Sequence, residues 1–202
     1  MEKIKLGDVI DIRRGMTLPG EFYSETGEFI RLTAGNFDYI NNCFKDNTSK
    51  SDIYYVGKIR EDCLLKKGDM ITPMTEQVKG LIGSTAFIPV DDLYVLSNDI
   101  GLITCSDKID KNYCYYLISS DYVKNQLSNM AQQTKIRHTS PDKIKGVSVV
   151  LPDIDKQKKI GKILRDLDAQ IERNNAMVQK LPTFRTTTYF ISHKEGELRY
   201  AC

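Results

Sequence analysis

The sequence predicts an α+β protein. The expected architecture is a domain with a mixed or antiparallel twisted sheet and packed helices, followed by one long coiled-coil-type helix. Three observations carry this. Short apolar stretches broken by glycine and polar turns run from Lys3 to Cys105 and read as strands. The apolar period then becomes helical across Tyr113, Tyr116, Leu117, Val123, Leu127 and Met130. Finally, Ile160, Leu164, Leu167, Ile171, Val178 and Leu181 recur at alternating steps of four and three, with Asn174 in the remaining slot. That is a heptad seam, and from Asp153 to Leu181 it makes a helix about 40 Å long.

Taken in order, KIKLGDVIDI reads as strand, with a break at Arg13-Arg14-Gly15, and FIRLTAGNFDYI as further short strands. The polar run Asn41–Ser51 reads as a loop. Lys66-Lys67-Gly68-Asp69 is an exposed turn feeding a strand. Gly80–Val90 reads as one strand with glycine bends, and Tyr94–Cys105 as a bent strand or a strand pair. Asp110 is the N-cap of a helix that lies on the sheet, with its aromatic residues in the core. QQTKIRHTS, residues 132–140, reads as an exposed basic loop. Ser140-Pro141-Asp142 starts a short helix that Gly146 ends, and VSVVLP returns as a strand. Pro182 ends the long helix and leaves 182–202 as a tail, so the expected domains are 1–152, 153–181 and 182–202.

Composition narrows the function classes. Hydrophobic residues at 41% and charged residues at 28% of 202 are ordinary for a globular chain. No apolar run approaches the ~20 residues of a membrane helix, and the N-terminus has no secretory core, so no membrane role is expected. Cys43, Cys63, Cys105, Cys114 and Cys202 are odd in number and form no CxxC pair. A reduced, cytoplasmic setting is expected, with neither a structural zinc nor a disulfide framework. The net charge of +2 is unevenly spread. Residues 1–134 carry 15 Lys+Arg against 19 Asp+Glu, residues 135–180 carry 11 against 6, and residues 181–202 carry 3 against 2. A polyanion would therefore first meet Lys135–Lys162.

Catalytic patterns are sought and not found. Gly80-Leu81-Ile82-Gly83-Ser84 lacks the ending of a phosphate loop. With only His138 and His193, no Ser-His-acid set is indicated, and His138 in its basic loop is a phosphate contact or simply exposed. Neither Pro141-Asp142 nor Pro152-Asp153 is followed by the acid-x-Lys of a nuclease core. No adenine methyltransferase tetrapeptide occurs. Catalytic residues, metal and cofactor are each expected to be absent, and the chain reads as a binding protein.

LPDIDKQKKIGKILRDLDAQIE carries a resemblance. Leu151-Pro152, Gln157, Ile160, Leu164, Leu167-Asp168 and Ile171 resemble the conserved region of specificity subunits of type I restriction–modification systems. Lys5-Leu6-Gly7-Asp8-Val9 with Gly15 and Thr17 resembles the opening of that family's target recognition domain. Leu65-Lys66-Lys67-Gly68-Asp69, then Ser97-Asn98 before a strand and a Tyr-rich helix, follow in the family's order, so the likeness covers residues 3 to about 181. The resemblance implies a non-catalytic subunit that recognises half of a split double-stranded DNA target. Its partners would be the methyltransferase and restriction subunits. Members usually carry two recognition domains and two long helices; one of each here implies a half-size form. Two copies would pair as a homodimer through antiparallel helices and read a palindrome. The end at Pro182 is earlier than in many family helices.

Independently of the family, Ile163 and Met177 fall at g positions and widen the seam, as a bundle with additional helices requires. Asn174 either fixes register or lies beyond the packed zone. For DNA, the candidate contacts are Arg13, Arg14, Lys79, Gln132, Gln133, Lys135, Arg137 and His138, because base edges are read by Arg, Lys, Asn and Gln and phosphates by Lys and Arg. For the partner helix the candidates are Ile160, Ile163, Leu164, Leu167, Ile171, Asn174, Val178 and Leu181. Two other readings stand beside this one: a restriction enzyme with its own catalytic centre, and a helix-mediated adaptor without DNA contact.

Overall fold

Strand residues alternate between two apolar cores, and a single sheet is the wall between them. The computed structural model describes residues 3–76, 80–130 and 137–194. In chain order the strands begin with β1 (Lys3–Lys5), β2 (Ile10–Arg14), β3 (Tyr23–Ser24), β4 (Phe29–Arg31) and β5 (Phe37–Asp38). They continue with β6 (Cys43–Phe44), β7 (Tyr54–Tyr55), β8 (Met70–Pro73), β9 (Thr75–Glu76) and β10 (Ala86–Phe87). Next come β11 (Tyr94–Val95), β12 (Ile100–Cys105), α1 (Lys111–Ser119), α2 (Asp121–Met130) and β13 (Arg137–His138). The last elements are α3 (Pro141–Lys145), β14 (Ser148–Val150) and α4 (Ile154–Lys194). Two compact units divide the chain, Met1–Gly161 and Lys162–Cys202.

The wall is the antiparallel sheet β10-β8-β12-β2. On one face Ile10, Ile12, Met70 and Ile103 meet Tyr115, Ile118, Val123, Leu127 and Ile144 from the helices. On the other face Ile71, Ala86 and Ile100 meet Leu32 and, from the second sheet, Tyr55, Tyr94 and Val95. Met70 and Ile71 are neighbours in sequence and belong to different cores, as a period of two requires. The second sheet, β11-β4-β7-β3, is mixed, since β11 runs parallel to β4 and the rest are antiparallel. The pairs β1–β14, β5–β6 and β9–β13 complete the strands.

The α+β class holds, with several small sheets in place of one. Other expectations are corrected. The helix over 113–130 is two helices, because Ser120 adopts ψ 151° and its hydroxyl donates to Leu117 O at 2.6 Å, offering the backbone a non-helical partner. The run Asn41–Ser51 contains β6, drawn into pairing by β5. Gly80–Val90 opens with a turn at Gly80–Gly83, where the two glycines adopt φ +101° and +84°, and only Ala86–Phe87 is strand. The expected loop 132–140 is strand at Arg137–His138, and Thr139 is buried. The break at Arg13-Arg14-Gly15 falls after Arg14, where β2 ends. The long helix passes Pro182 and runs to Lys194, since a proline removes one hydrogen bond and the turns on either side keep theirs.

The caps read from sequence are present. Asp110 accepts from the Tyr113 N–H at 2.9 Å, and Ser140 from the Lys143 N–H at 3.2 Å. Asp153 caps α4 by accepting from the Lys156 N–H at 2.9 Å.

Candidate nucleic-acid interface

Two of the basic candidates, Arg137 and His138, lie on a two-stranded ribbon. β9 and β13 pair antiparallel, Arg137 opposite Glu76 and His138 opposite Thr75, and the Thr139 N–H donates to Met74 O at 2.9 Å. In an antiparallel pair, the chain leaves one strand at the end where it enters the other. The chain therefore leaves β9 after Glu76 and enters β13 at Arg137 at the same end of the ribbon, and Lys79, Gln132, Gln133 and Lys135 belong to the connections beyond it. Those four residues lie outside the described residues. His138 is exposed on β13, and Arg137 stands beside it in the strand.

Arg14 supports the ribbon from the wall. Its Nη2 donates to Thr139 O at 2.9 Å, joining the end of β2 to the residue that follows β13. Arg13, one residue earlier, faces the other side, because successive strand residues alternate. Its guanidinium donates to the Asp62 carboxylate at 3.5 Å and to the Asp62 carbonyl. Arg60 reaches the same carboxylate at 3.1 Å. The two arginines that sequence places together are thus separated by the pleat. Arg60 and Asp62 are participants that sequence reasoning missed; the charged triplet Arg60-Glu61-Asp62 was the available signal.

Several lysines are engaged locally. Lys5 Nζ donates to Gly146 O at 3.0 Å and Ser148 Oγ at 2.8 Å. Lys145 pairs with Asp11 at 3.2 Å, and Lys162 with Asp166 at 2.6 Å. The Ile12 N–H and Lys145 hold the Asp11 carboxyl below its ordinary range. Exposed pairs of this kind contribute only about 0–1 kcal/mol each.

The base of α4 is fixed by a buried amide. Gln157 is 2% exposed; its Oε1 accepts from the Asp110 N–H at 3.0 Å, and its Nε2 donates to Pro152 O at 2.9 Å and Lys108 O at 3.3 Å. One turn on, a Cβ at Gly161 would stand 2.7 Å from Asp110 Oδ1 and 2.8 Å from Tyr113 N, so only glycine admits this approach to α1. Further along, Ile163, Leu167, Ile171 and Val178 are each 48–60% exposed. Ile160 and Asn174 are exposed too, while Leu164 is half-buried and the side chain of Leu181 lies outside the described residues.

Among the described residues no group of three or more His, Cys, Asp or Glu could hold a metal ion. Among the described residues no helix is long and apolar enough to cross a membrane.

Comparison with known proteins places this architecture. The fold is that of a solved type I restriction–modification S subunit from M. genitalium, with a TM-score of 0.61 and 14% identity over 92% of this chain and 44% of that one. A family model described as the type I restriction modification DNA specificity domain matches residues 1–183, and the chain belongs to this family. Among curated relatives, the type I restriction enzyme MjaVIII specificity subunit of Methanocaldococcus jannaschii is 26% identical over 85% of this chain and 40% of that protein. The StySPI specificity subunit of Salmonella potsdam is 21% identical over 70% of this chain and 31% of that protein. The chain thus spans less than half the length of these relatives.

Proposed function

We propose that this chain reads one half of a split DNA target for a type I restriction–modification complex and performs no chemistry itself. The observation that carries this is the β9–β13 ribbon, which presents Arg137 and His138 on a strand of a domain of the specificity family. In this reading phosphate contacts from Lys135 and Arg137 position the domain, and the amides of Gln132 and Gln133 are the candidates for base edges. In this reading residues 1–152 are the recognition domain, and the helix from 153 is the coiled-coil-type spacer on which methyltransferase and restriction subunits dock. The apolar stripe exposed along α4 favours assembly with a second long helix. A second copy, antiparallel, gives a symmetric reader of a palindrome with a fixed gap. The work is cytoplasmic, where the cell's DNA is.

Two measurements test it. Lys135→Ala with Arg137→Ala is expected to weaken DNA binding and flatten its salt dependence by about one unit of slope per lost phosphate contact. An unchanged slope removes the ribbon from the interface. Methylated adenines are then mapped in cells with the methyltransferase, with and without this chain. A split motif present only with the chain is expected: palindromic for a symmetric pair, asymmetric for a different partner half. No difference between the two maps leaves α4 as an assembly device alone.

A further inference from the structure

Ile40 sits at the tip of the β5–β6 hairpin and is 79% exposed, more than any other large hydrophobic residue among those described. A single exposed isoleucine on a loose segment is unremarked surface. This one is held on both sides. The Asp38 carboxylate accepts from the Ile40 N–H at 3.0 Å, the Asn41 N–H at 3.0 Å and Asn41 Nδ2 at 2.8 Å. Asn42 follows in the left-handed region at φ 51°. Its Oδ1 accepts from the Thr85 N–H at 2.9 Å, its Nδ2 donates to Thr85 Oγ1 at 3.1 Å, and its carbonyl accepts from the Tyr115 hydroxyl. Thr85 Oγ1 in turn donates to Tyr115 O at 3.0 Å. A β-branched side chain with few rotamers is thereby presented to solvent on a rigid tip, where it adds nothing to either core.

The tip is close to the ribbon. A Cβ at Gly80 would lie 3.9 Å from Tyr39 Cδ2, so the residue before Ile40 stands beside Gly80. Gly80 is four residues beyond Glu76, and four residues reach at most about 14 Å. Both elements fit within one turn of a duplex, about 34 Å. The Asp38 carboxylate is taken up by its three hydrogen bonds and by the Lys45 charge, so what the tip offers a duplex is the apolar side chain of Ile40, which suits a base edge and not a phosphate.

We propose that Ile40 is a specificity-determining residue whose side chain packs on the 5-methyl group of a thymine in the half-site. This rests on the DNA-recognition reading above. Thymine alone presents a methyl group in the major groove, and apolar side chains read it by contact.

The test begins from the mapped target. Each thymine of the half-site is replaced in turn by deoxyuridine, which deletes only the methyl group, and binding of the assembled complex is measured for the wild type, Ile40→Ala and Ile40→Val. One replacement is expected to weaken wild-type and Ile40→Val binding roughly three- to tenfold and to leave Ile40→Ala binding unchanged. The salt slope stays the same in all three. If Ile40→Ala keeps the wild-type sensitivity, or if no replacement affects the wild type, the proposal falls and the DNA reading stands. If Ile40→Ala weakens every duplex alike, the residue acts through folding or backbone contact and the proposal falls. If the wild type selects no sequence, the DNA reading falls and takes the proposal with it.

Discussion

Asp38 illustrates how one carboxylate can set a turn. Burial pushes its pKa up, and the hydrogen bonds from Asn41 and Ile40 more than reverse this, so the group lies below its ordinary value. A carboxyl with a lower pKa folded than unfolded stabilises fully above the unfolded value, near pH 4, and loses that contribution as pH falls through the folded value. Asp38→Asn is therefore expected to lower the thermal midpoint at pH 7, with the gap to the wild type closing as pH falls below about 4. A gap that stays constant to pH 3 would show that the charge is not what holds the tip. The residue scale is also where sequence reading stopped short. Arg13 and Arg14 were legible as exposed cations. The alternation Ile10-Asp11-Ile12 puts Arg13 and Arg14 on opposite faces, but that one supports Thr139 while the other meets Asp62 depends on partners 125 and 49 residues away. Ile40 carried no signal at all, because its meaning comes from Asn42 and Thr85, 43 residues apart in the chain.

Elements with local chemistry were readable and elements with distant partners were not. Asp110, Ser140-Pro141 and the turn at Gly68, which adopts φ +84°, follow from neighbouring residues alone. β9 and β13 are two residues each, too short to have a period, and exist because each supplies the other's hydrogen bonds. The family pattern located the start of α4, yet the role of Gln157 as the clamp between Pro152, Lys108 and Asp110 needed coordinates. Gly161 gives this joint a direct test. Glycine to alanine in an open helix gains up to about 1 kcal/mol. Here the added methyl collides with Asp110 and the first turn of α1, so Gly161→Ala is expected to destabilise by about 1–3 kcal/mol and lower the thermal midpoint by several degrees. A rise in the midpoint would mean that α4 does not approach α1 this closely.

The molecule combines a self-sufficient unit with an unsatisfied one. Met1–Gly161 encloses two cores, whereas in the second unit Ile163, Leu167, Ile171 and Val178 are exposed among the described residues. Leu167→Asp with Ile171→Asp places two charges in any helix pair formed there, and is expected to weaken assembly at least a hundredfold by sedimentation, with the melting of the first unit unchanged. Assembly that survives both aspartates would move the interface elsewhere. The closure of the first unit has a kinetic side. β1 pairs with β14, Lys3 opposite Val150, and the Leu6 N–H waits for Val147 O. A ribosome adding about 5–20 residues per second spends roughly 7–30 s between making one strand and the other. During that interval Leu6, Val9, Ile10 and Ile12 emerge without Ile144, Val147 and Val149 to cover them. The newborn chain thus depends on its last strand to shield its first, and its exposure to aggregation is set by the time translation takes to reach residue 150.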